Sequence, residues 1–400
     1  MRICLASIHP RLLSGQIDSL TALARGLRDN GHDVALVSAF AEQDLLDERR
    51  AFGEAAEPGQ LLPRLARLSR IWSGIERAAE TADLVHLNLP TPSFTPLANL
   101  LQHRIKKPLI VGFEAHLICL GDVLPHGRWL ASPKFYLPRL LVNNRGIARA
   151  GGFQAAHYVV ASGYQAEELL RAGAPFDRIS AIPTLFDWAR LAGDGGAARV
   201  ALPTGQPLIG YIGHFNHVKG VDVLIRALPR IRERFPGVQL ALAWSGLGEE
   251  GPVKRAIAAT GLADQVQVLG RVSVAEMFSR CDLAVLPYRL TIGQAAFPGL
   301  VLEAMAVGTP LVTTDLPLLR ELVAEEELAL LARPEDPSDL ADKVCQLLAN
   351  QTEARAMVER QRAAIRTRLD PTVLVERYEE LYAKVVSDAA RRQTSLLRTT

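Results

Sequence analysis

Lys219 and Glu303 are the two side chains whose surroundings point most directly to chemistry. Lys219 lies in the loop Gly213-His214-Phe215-Asn216-His217-Val218-Lys219-Gly220, which follows an apolar run from Leu208 to Ile212. After the loop, Val221, Leu224, Ile225, Leu228 and Ile231 recur at three- and four-residue steps, a spacing that predicts an amphipathic helix. Glu303 sits in a second such unit. There the strand end Leu286-Pro287-Tyr288 leads through a loop to a helix opened by Pro298, closed by Gly308 and followed by a new strand. A strand, a loop and a helix in that order present backbone N–H groups and the positive end of the helix dipole above the strand end, where phosphate is the usual guest. Lys219 adds a mobile cation at one mouth. Glu303 adds an acceptor for ribose hydroxyls at the other.

These two mouths need a scaffold, and the chain supplies it twice. Residues 2–7 read as a buried strand and Gln16 to Asn30 as a helix ended by Gly31, with Asp33 to Ala39 as the next strand. Such a βαβ unit implies a parallel sheet with a right-handed crossover. Gly15 stands at the helix N-terminus, where backbone can approach a ligand closely; a tight turn explains it equally well. Residues 41–60 are polar and read as loop, and 61–80 as a helix whose Arg64, Arg67, Arg70 and Arg77 suit a solvated face better than a lipid-bound one. Short strands follow, one at 82–90 ending in His86 and one at 107–118 with His116 just past its carboxyl end. Ligands of open α/β sheets bind beyond those ends, so His116 reads as a functional donor, and His86 as a structural histidine bonded to a loop carbonyl.

Residues 119–152 are the least regular, mixing Trp129, Phe135 and Tyr136 with Arg128, Lys134 and Arg139, which suits an acceptor, a lipid surface, a partner or a packed helix pair. A strand at 157–162, a helix at 163–173 capped by Ser162 and a strand at 178–186 complete the first domain, residues 1–191. The stretch 192–199 is rich in Gly and Ala and reads as a linker. Residues 200–370 repeat the alternation, with strands at 238–246, 266–272, 282–288, 310–314 and 327–332 and helices at 252–260, 274–280, 317–324 and 339–349. Residues 371–400 form a final helix expected to pack back on the first domain, with a frayed tail. The fold class is therefore α/β: two Rossmann-like, doubly wound parallel-sheet domains facing across a cleft.

Totals narrow the function. The 400 residues are 48% hydrophobic and 22% charged, with a net charge of +2, which offers no case for nucleic acid as the main partner. Cys4, Cys119, Cys281 and Cys345 are scattered without metal-type pairing, so neither a disulfide framework nor a zinc site is expected, and a cytoplasmic setting is. No apolar run is long enough to span a bilayer, so membrane contact would be peripheral, at the inner face.

This succession resembles the nucleotide-sugar glycosyltransferases of family 4, retaining enzymes of the two-Rossmann "GT-B" architecture, over nearly the whole chain. The family's opening is similar to Ser14-Gly15 followed by Gly31-His32-Asp33-Val34, and its D-x-V-H strand end to Asp83-Leu84-Val85-His86. Its I-P-N-G-V-D signature resembles Ile182-Pro183-Thr184-Leu185-Phe186-Asp187, with Asn-Gly replaced. Its G-R-…-K-G phosphate loop resembles Gly213 to Gly220. The most specific match is Glu303-Ala304-Met305-Ala306-Val307-Gly308-Thr309-Pro310-Leu311, which joins helix, cap and next strand.

The resemblance implies transfer of a sugar from a nucleoside diphosphate donor to a hydroxyl acceptor: a saccharide, a lipid-linked saccharide or a small aglycone. No cofactor or metal is implied. His116, Lys219 and Glu303 would be the catalytic set. Gly15, Gly213, His214, Lys219 and the amides of Gly299, Leu300 and Val301 would hold the diphosphate, Gly270 to Val272 the base, and Glu303 the ribose. Two positions depart from the family. His214 replaces the loop arginine, a bidentate clamp that a neutral histidine cannot copy, with His217 expected to help when protonated. Ala295 replaces the first acid of E-x7-E, with Gln294 beside it. These departures support two other readings, a catalytically silent homologue that binds nucleotide or a partner, and a nucleotide-sugar epimerase of the same architecture.

Overall fold

The computed structural model describes residues 1–8, 15–38, 61–113, 144–186, 201–291 and 297–399. The expected loop at 41–60, the linker at 192–199, His116, Asp187, Gln294, Ala295 and most of 119–152 lie outside the described residues. The chain divides into two compact units, Met1–Asp187 with Leu369–Thr400, and Trp188–Arg368.

The first unit is built on a parallel six-stranded sheet: β1 (Arg2–Ser7), β2 (Asp33–Val37), β3 (Leu84–Leu89), β4 (Leu109–Phe113), β5 (His157–Val160) and β6 (Ile179–Ala181), in the order β2-β1-β3-β4-β5-β6. These strands are apolar on both faces because helices cover both. Side chains alternate with period two. Cys4, Ala6, Val85 and Val111 pack with Ile71, Ile75 and Ala79 of α2 (Leu61–Thr81) and with Ala98 and Leu101 of α3 (Thr95–Arg104). Ile3, Leu5, Leu84 and Ile110 pack on the other face with α1 (Gly15–Asp29) and with a helix from the far end of the chain, α13 (Pro371–Thr399). Two shorter helices, α4 (Asn144–Gly151) and α5 (Gly163–Arg171), complete the unit; α5 is capped by Ser162, whose hydroxyl accepts the Gln165 N–H.

Helix α13 supplies Leu374, Val375, Tyr378, Leu381, Tyr382 and Val385 to that core, each apolar side chain contributing about 1.5–3 kcal/mol relative to exposure. Its backbone stays helical to Thr399, through the tail expected to fray. His86 is not at a strand end. It lies mid-strand, 1% exposed, and its Nδ1 is 2.6 Å from the Tyr382 hydroxyl rather than against a loop carbonyl. Burial pushes its pKa down to about 3, so the ring is neutral.

The second unit carries β7 (Leu208–Phe215), β8 (Gln239–Gly248), β9 (Val266–Leu269), β10 (Leu283–Leu286), β11 (Leu311–Thr314) and β12 (Leu330–Ala332), all parallel, in the order β12-β11-β10-β7-β8-β9. Read from β7, this is the doubly wound order 3-2-1-4-5-6, whose direction of winding reverses between β7 and β10. Its helices are α6 (Val221–Arg234), α7 (Glu250–Thr260), α8 (Val274–Arg280), α9 (Gly299–Val307), α10 (Pro317–Val323), α11 (Pro337–Ala349) and α12 (Gln351–Thr367). Val221, Leu224, Ile225, Leu228 and Ile231 are all buried. Gly308 ends α9 in a left-handed conformation (φ 82°), which releases the chain into β11. Helix α12 has no counterpart in the sequence reading. Its apolar stripe is thin because a polar residue, the fully buried Gln361, fills one core position and donates to the Leu328 carbonyl. The legible signal was its cap, where Asn350 accepts the Glu353 N–H.

Tyr382→Phe removes the buried partner of His86 Nδ1 and is expected to destabilise the first unit by about 1–3 kcal/mol. Urea unfolding followed by tryptophan fluorescence measures the difference, and an unchanged midpoint contradicts the pairing.

Candidate functional site

The two mouths expected from the sequence lie at the carboxyl ends of β7 and β10, on either side of the point where the winding reverses. Strand β7 runs further than expected, through His214 to Phe215, with a bulge between Gly213 and Phe215. Asn216 then caps a 3-10 turn, His217–Lys219, by accepting the Lys219 N–H at 3.2 Å. Gly220 follows in a left-handed conformation (φ 67°), and a Cβ there would collide with the Pro287 carbonyl at the end of β10. Glycine is thus required twice over, by its backbone angle and by the close approach of the neighbouring loop. Arg289 N–H donates to the Val218 carbonyl at 2.8 Å, joining the two loops.

Arg289, which the sequence reading missed, is the anchor of this junction. It is 5% exposed. Its Nη1 donates to His217 Nδ1 (2.8 Å) and to the His217 carbonyl (2.5 Å), its Nη2 to Asp222 (2.7 Å), and its Nε lies 2.7 Å from Glu335 Oε1. A guanidinium has no acceptor, so His217 Nδ1 must accept and the ring proton sits on Nε2. That geometry holds the neutral imidazole. The help expected from a protonated His217 is therefore corrected, because a second proton would point at the guanidinium. The signal for Arg289 was its place, a Tyr-Arg pair directly after an apolar strand.

Lys219 projects from the turn with its Nζ 4.8 Å from the centre of the Tyr288 ring. Burial pushes its pKa down to about 8, so it remains mostly cationic at neutral pH. Glu303, half-buried on α9, is close enough that its charge adds to the burial that raises the Tyr288 phenol above its usual range. Lys219 thus lies over the ring of Tyr288, which is 2% exposed, and the Glu303 charge acts on the same phenol. At the head of α9, Pro298 is the N-cap and the Val301 N–H already donates to its carbonyl at 2.9 Å. Gly299 and Leu300 are left as the first-turn N–H groups without an intrahelical acceptor; Val301, expected as a third donor, is engaged.

His214 is half-buried, its Nδ1 2.5 Å from Ser245 Oγ at the end of β8. Arg271 is exposed beside the same β8 end, donating through Nε to the Ser245 carbonyl at 3.1 Å. Gly270 is exposed and Val272 buried, so the 270–272 segment borders that edge of the unit. Gly15 opens α1 in the first unit. Among the described residues, no group of three or more His, Cys, Asp or Glu is placed to hold a metal ion, and no helix is long and apolar enough to cross a membrane.

Comparison with known proteins bears on this arrangement. Residues 14–190 match the family model described as Glycosyltransferase Family 4, and residues 206–350 the one described as Glycosyl transferases group 1. The chain thus carries a glycosyltransferase family 4 domain followed by a glycosyl transferases group 1 domain. Among curated relatives, the chain is 29% identical over 224 residues to the phosphatidyl-myo-inositol mannosyltransferase of Mycobacterium leprae, covering 56% of this chain and 55% of that protein. The chain spans about half the length of the curated relatives it matches. Among solved structures it resembles HepE of Anabaena in complex with UDP and glucose (TM-score 0.69, 20% identity, 96% of this chain and 100% of that one). It also resembles sucrose-phosphate synthase from Thermosynechococcus elongatus (TM-score 0.71, 20% identity, 96% and 99%). At such identity these two are likenesses of fold, the two-Rossmann GT-B type.

Arg289→Met strips Asp222 and Glu335 of their buried partner. The expected loss is about 2–3 kcal/mol, below the 3–5 of a wholly buried pair because Asp222 is 38% exposed. Denaturant unfolding of the second unit measures it, and a loss under about 0.5 kcal/mol contradicts the anchoring role.

Proposed function

We propose that this chain is a retaining, metal-independent glycosyltransferase that moves a sugar from a nucleoside diphosphate donor to a hydroxyl acceptor. The observation that carries the reading is the Lys219 ammonium over the Tyr288 ring, with Glu303 on the helix that follows, at the winding reversal of the second sheet. When the bond between sugar and diphosphate breaks, negative charge grows on the distal phosphate. The Lys219 ammonium and the Gly299 and Leu300 amides offset that charge, and fixed donors of this kind are each worth about 2.7–4 kcal/mol by deletion. His214, beside Gly213, adds a neutral hydrogen bond to the diphosphate. Glu303 accepts from the ribose, and the 270–272 segment borders the base. His116 and Gly15, from the first domain, act at the donor sugar and the diphosphate. The acceptor is a saccharide, a lipid-linked saccharide or a small aglycone, and the protein works in the cytoplasm, peripherally at the inner membrane face where the acceptor is a lipid.

The replacement of the motif arginine by His214 also gives the silent-homologue reading a physical basis: with His217 held by Arg289, Lys219 is left without the permanently charged companion that the family motif supplies to oppose the diphosphate charge. A panel of sugar nucleotides decides between them. Slow release of nucleoside diphosphate from one donor is expected, with transfer once a suitable hydroxyl is added. Binding without hydrolysis or transfer marks the silent homologue, and interconversion of two sugar nucleotides marks the epimerase.

Lys219→Ala is expected to lower kcat about 100- to 1,000-fold with an unchanged circular dichroism spectrum. Wild-type turnover should fall as pH rises past about 8, because the neutral amine no longer offsets phosphate charge. Near-wild-type turnover of Lys219→Ala, or a flat profile to pH 10, removes the phosphate assignment.

A further inference from the structure

Tyr288 has no part in the chemistry described so far, yet the Lys219 ammonium lies over its ring. Its backbone is fixed on both sides. The Tyr288 carbonyl accepts from Thr314 Oγ1 at 2.5 Å, and the next residue is tied to the Val218 carbonyl through the Arg289 N–H. Its ring therefore has no freedom to follow a ligand. The Lys219 backbone is fixed as well, since its turn is capped by Asn216 and closed by Gly220. A rigid ring face and a rigid turn hold the ammonium 4.8 Å from the ring centre, inside the range in which the negative face of an aromatic ring attracts a cation. The phenol hydroxyl is buried and has no hydrogen-bond partner among the described residues. The hydroxyl thus adds no bond to the fold, and the ring face is the part of the side chain in use.

We propose that Tyr288 is a positioning residue for the transfer: its ring face holds the Lys219 ammonium in the cationic form and aims it at the phosphate side of the site. The inference rests on the diphosphate role given to Lys219 above. It accounts for a physical difficulty there. Burial alone disfavours the charged amine, and the loop carries His214 where the family motif has an arginine. Ring attraction opposes the neutralisation without adding a carboxylate, which would repel the diphosphate. The titratable groups on the elements packed around this pair are His217 on the same turn, Asp222 on α6, Tyr211 on β7, Arg289 after β10, Glu303 on α9 and Glu335 before α11. Asp222 and Glu335 are ion-paired with Arg289. The phenol itself stays neutral, raised by burial and by Glu303.

The test compares wild type with Tyr288→Phe, Tyr288→Leu and Tyr288→pentafluorophenylalanine. The last keeps the shape of the ring and reverses the charge of its face, so the question survives if the leucine variant fails to fold. Lysines are reductively methylated with a carbon-13 label, the Lys219 signal is assigned by its loss in Lys219→Arg, and its titration is followed by NMR from pH 6 to 11. Binding of UDP, GDP and ADP is measured over the same range by calorimetry. Tyr288→Phe should titrate as wild type does, whereas the leucine and fluorinated variants should titrate lower by about one pH unit. The basic limb of nucleotide binding should move with them. An unchanged Lys219 titration in the fluorinated variant overturns the proposal, as does a shift in Tyr288→Phe as large as that in the others. If no nucleoside diphosphate binds wild type, the functional reading of the site fails, while the Lys219 titration still decides the role of Tyr288.

Discussion

The second unit depends on one close approach, that of the turn after β7 to the chain leaving β10. Parallel strands on either side of a winding reversal send their following segments apart, and this divergence opens a crevice above the sheet. Here the crevice floor is closed by backbone. Gly220 lies against the Pro287 carbonyl, and Arg289 N–H reaches the Val218 carbonyl. Only a residue without a Cβ permits the first contact, and the buried Arg289 side chain, with its acceptors in place, anchors the residue that makes the second. Lys219, Tyr288 and the head of α9 inherit their positions from it.

Electrostatics at this junction divides into two kinds of charge. Arg289 is a structural cation: its three nitrogens meet His217, Asp222 and Glu335, so it has little left to offer a ligand. Lys219 is the working cation, desolvated by burial and held over an aromatic ring. Separating the two lets one hold the turn while the other stays available. The cost is that Lys219 carries a lowered pKa, which sets an upper pH bound on its use. In the first unit the same physics produces an inert group: His86, equally polar, is buried against Tyr382 with its pKa driven to about 3, and it acts in packing.

Sequence periodicity made most of both sheets legible, because parallel strands covered on both faces are short apolar runs and the intervening helices bury one stripe each. Val221, Leu224, Ile225, Leu228 and Ile231 are an example: their spacing predicted α6 and all five are buried. Where a core position was filled by a polar side chain, as by Gln361 in α12, the pattern failed. Where a strand end carried a residue of mixed character, as at His86, the boundary was misplaced. Lys219 and Glu303 stood out because each sits at a strand-loop-helix mouth, whereas Arg289 and Tyr288 looked like the tail of a strand.

The order of strands and helices, the glycine at 220 and the cap at Gly308 were determined by local chemistry, since φ, helix termination and apolar spacing are properties of neighbours in the chain. The partners of Arg289, the tautomer of His217 and the ring beneath Lys219 were decided only by tertiary structure. They join residues far apart in the chain, 72 positions for Arg289 and His217 and 67 for Arg289 and Asp222, and nothing in the spacing of a sequence states which buried donor will meet which acceptor. The same holds for α13, whose residues finish the core of a unit begun at the opposite end of the chain.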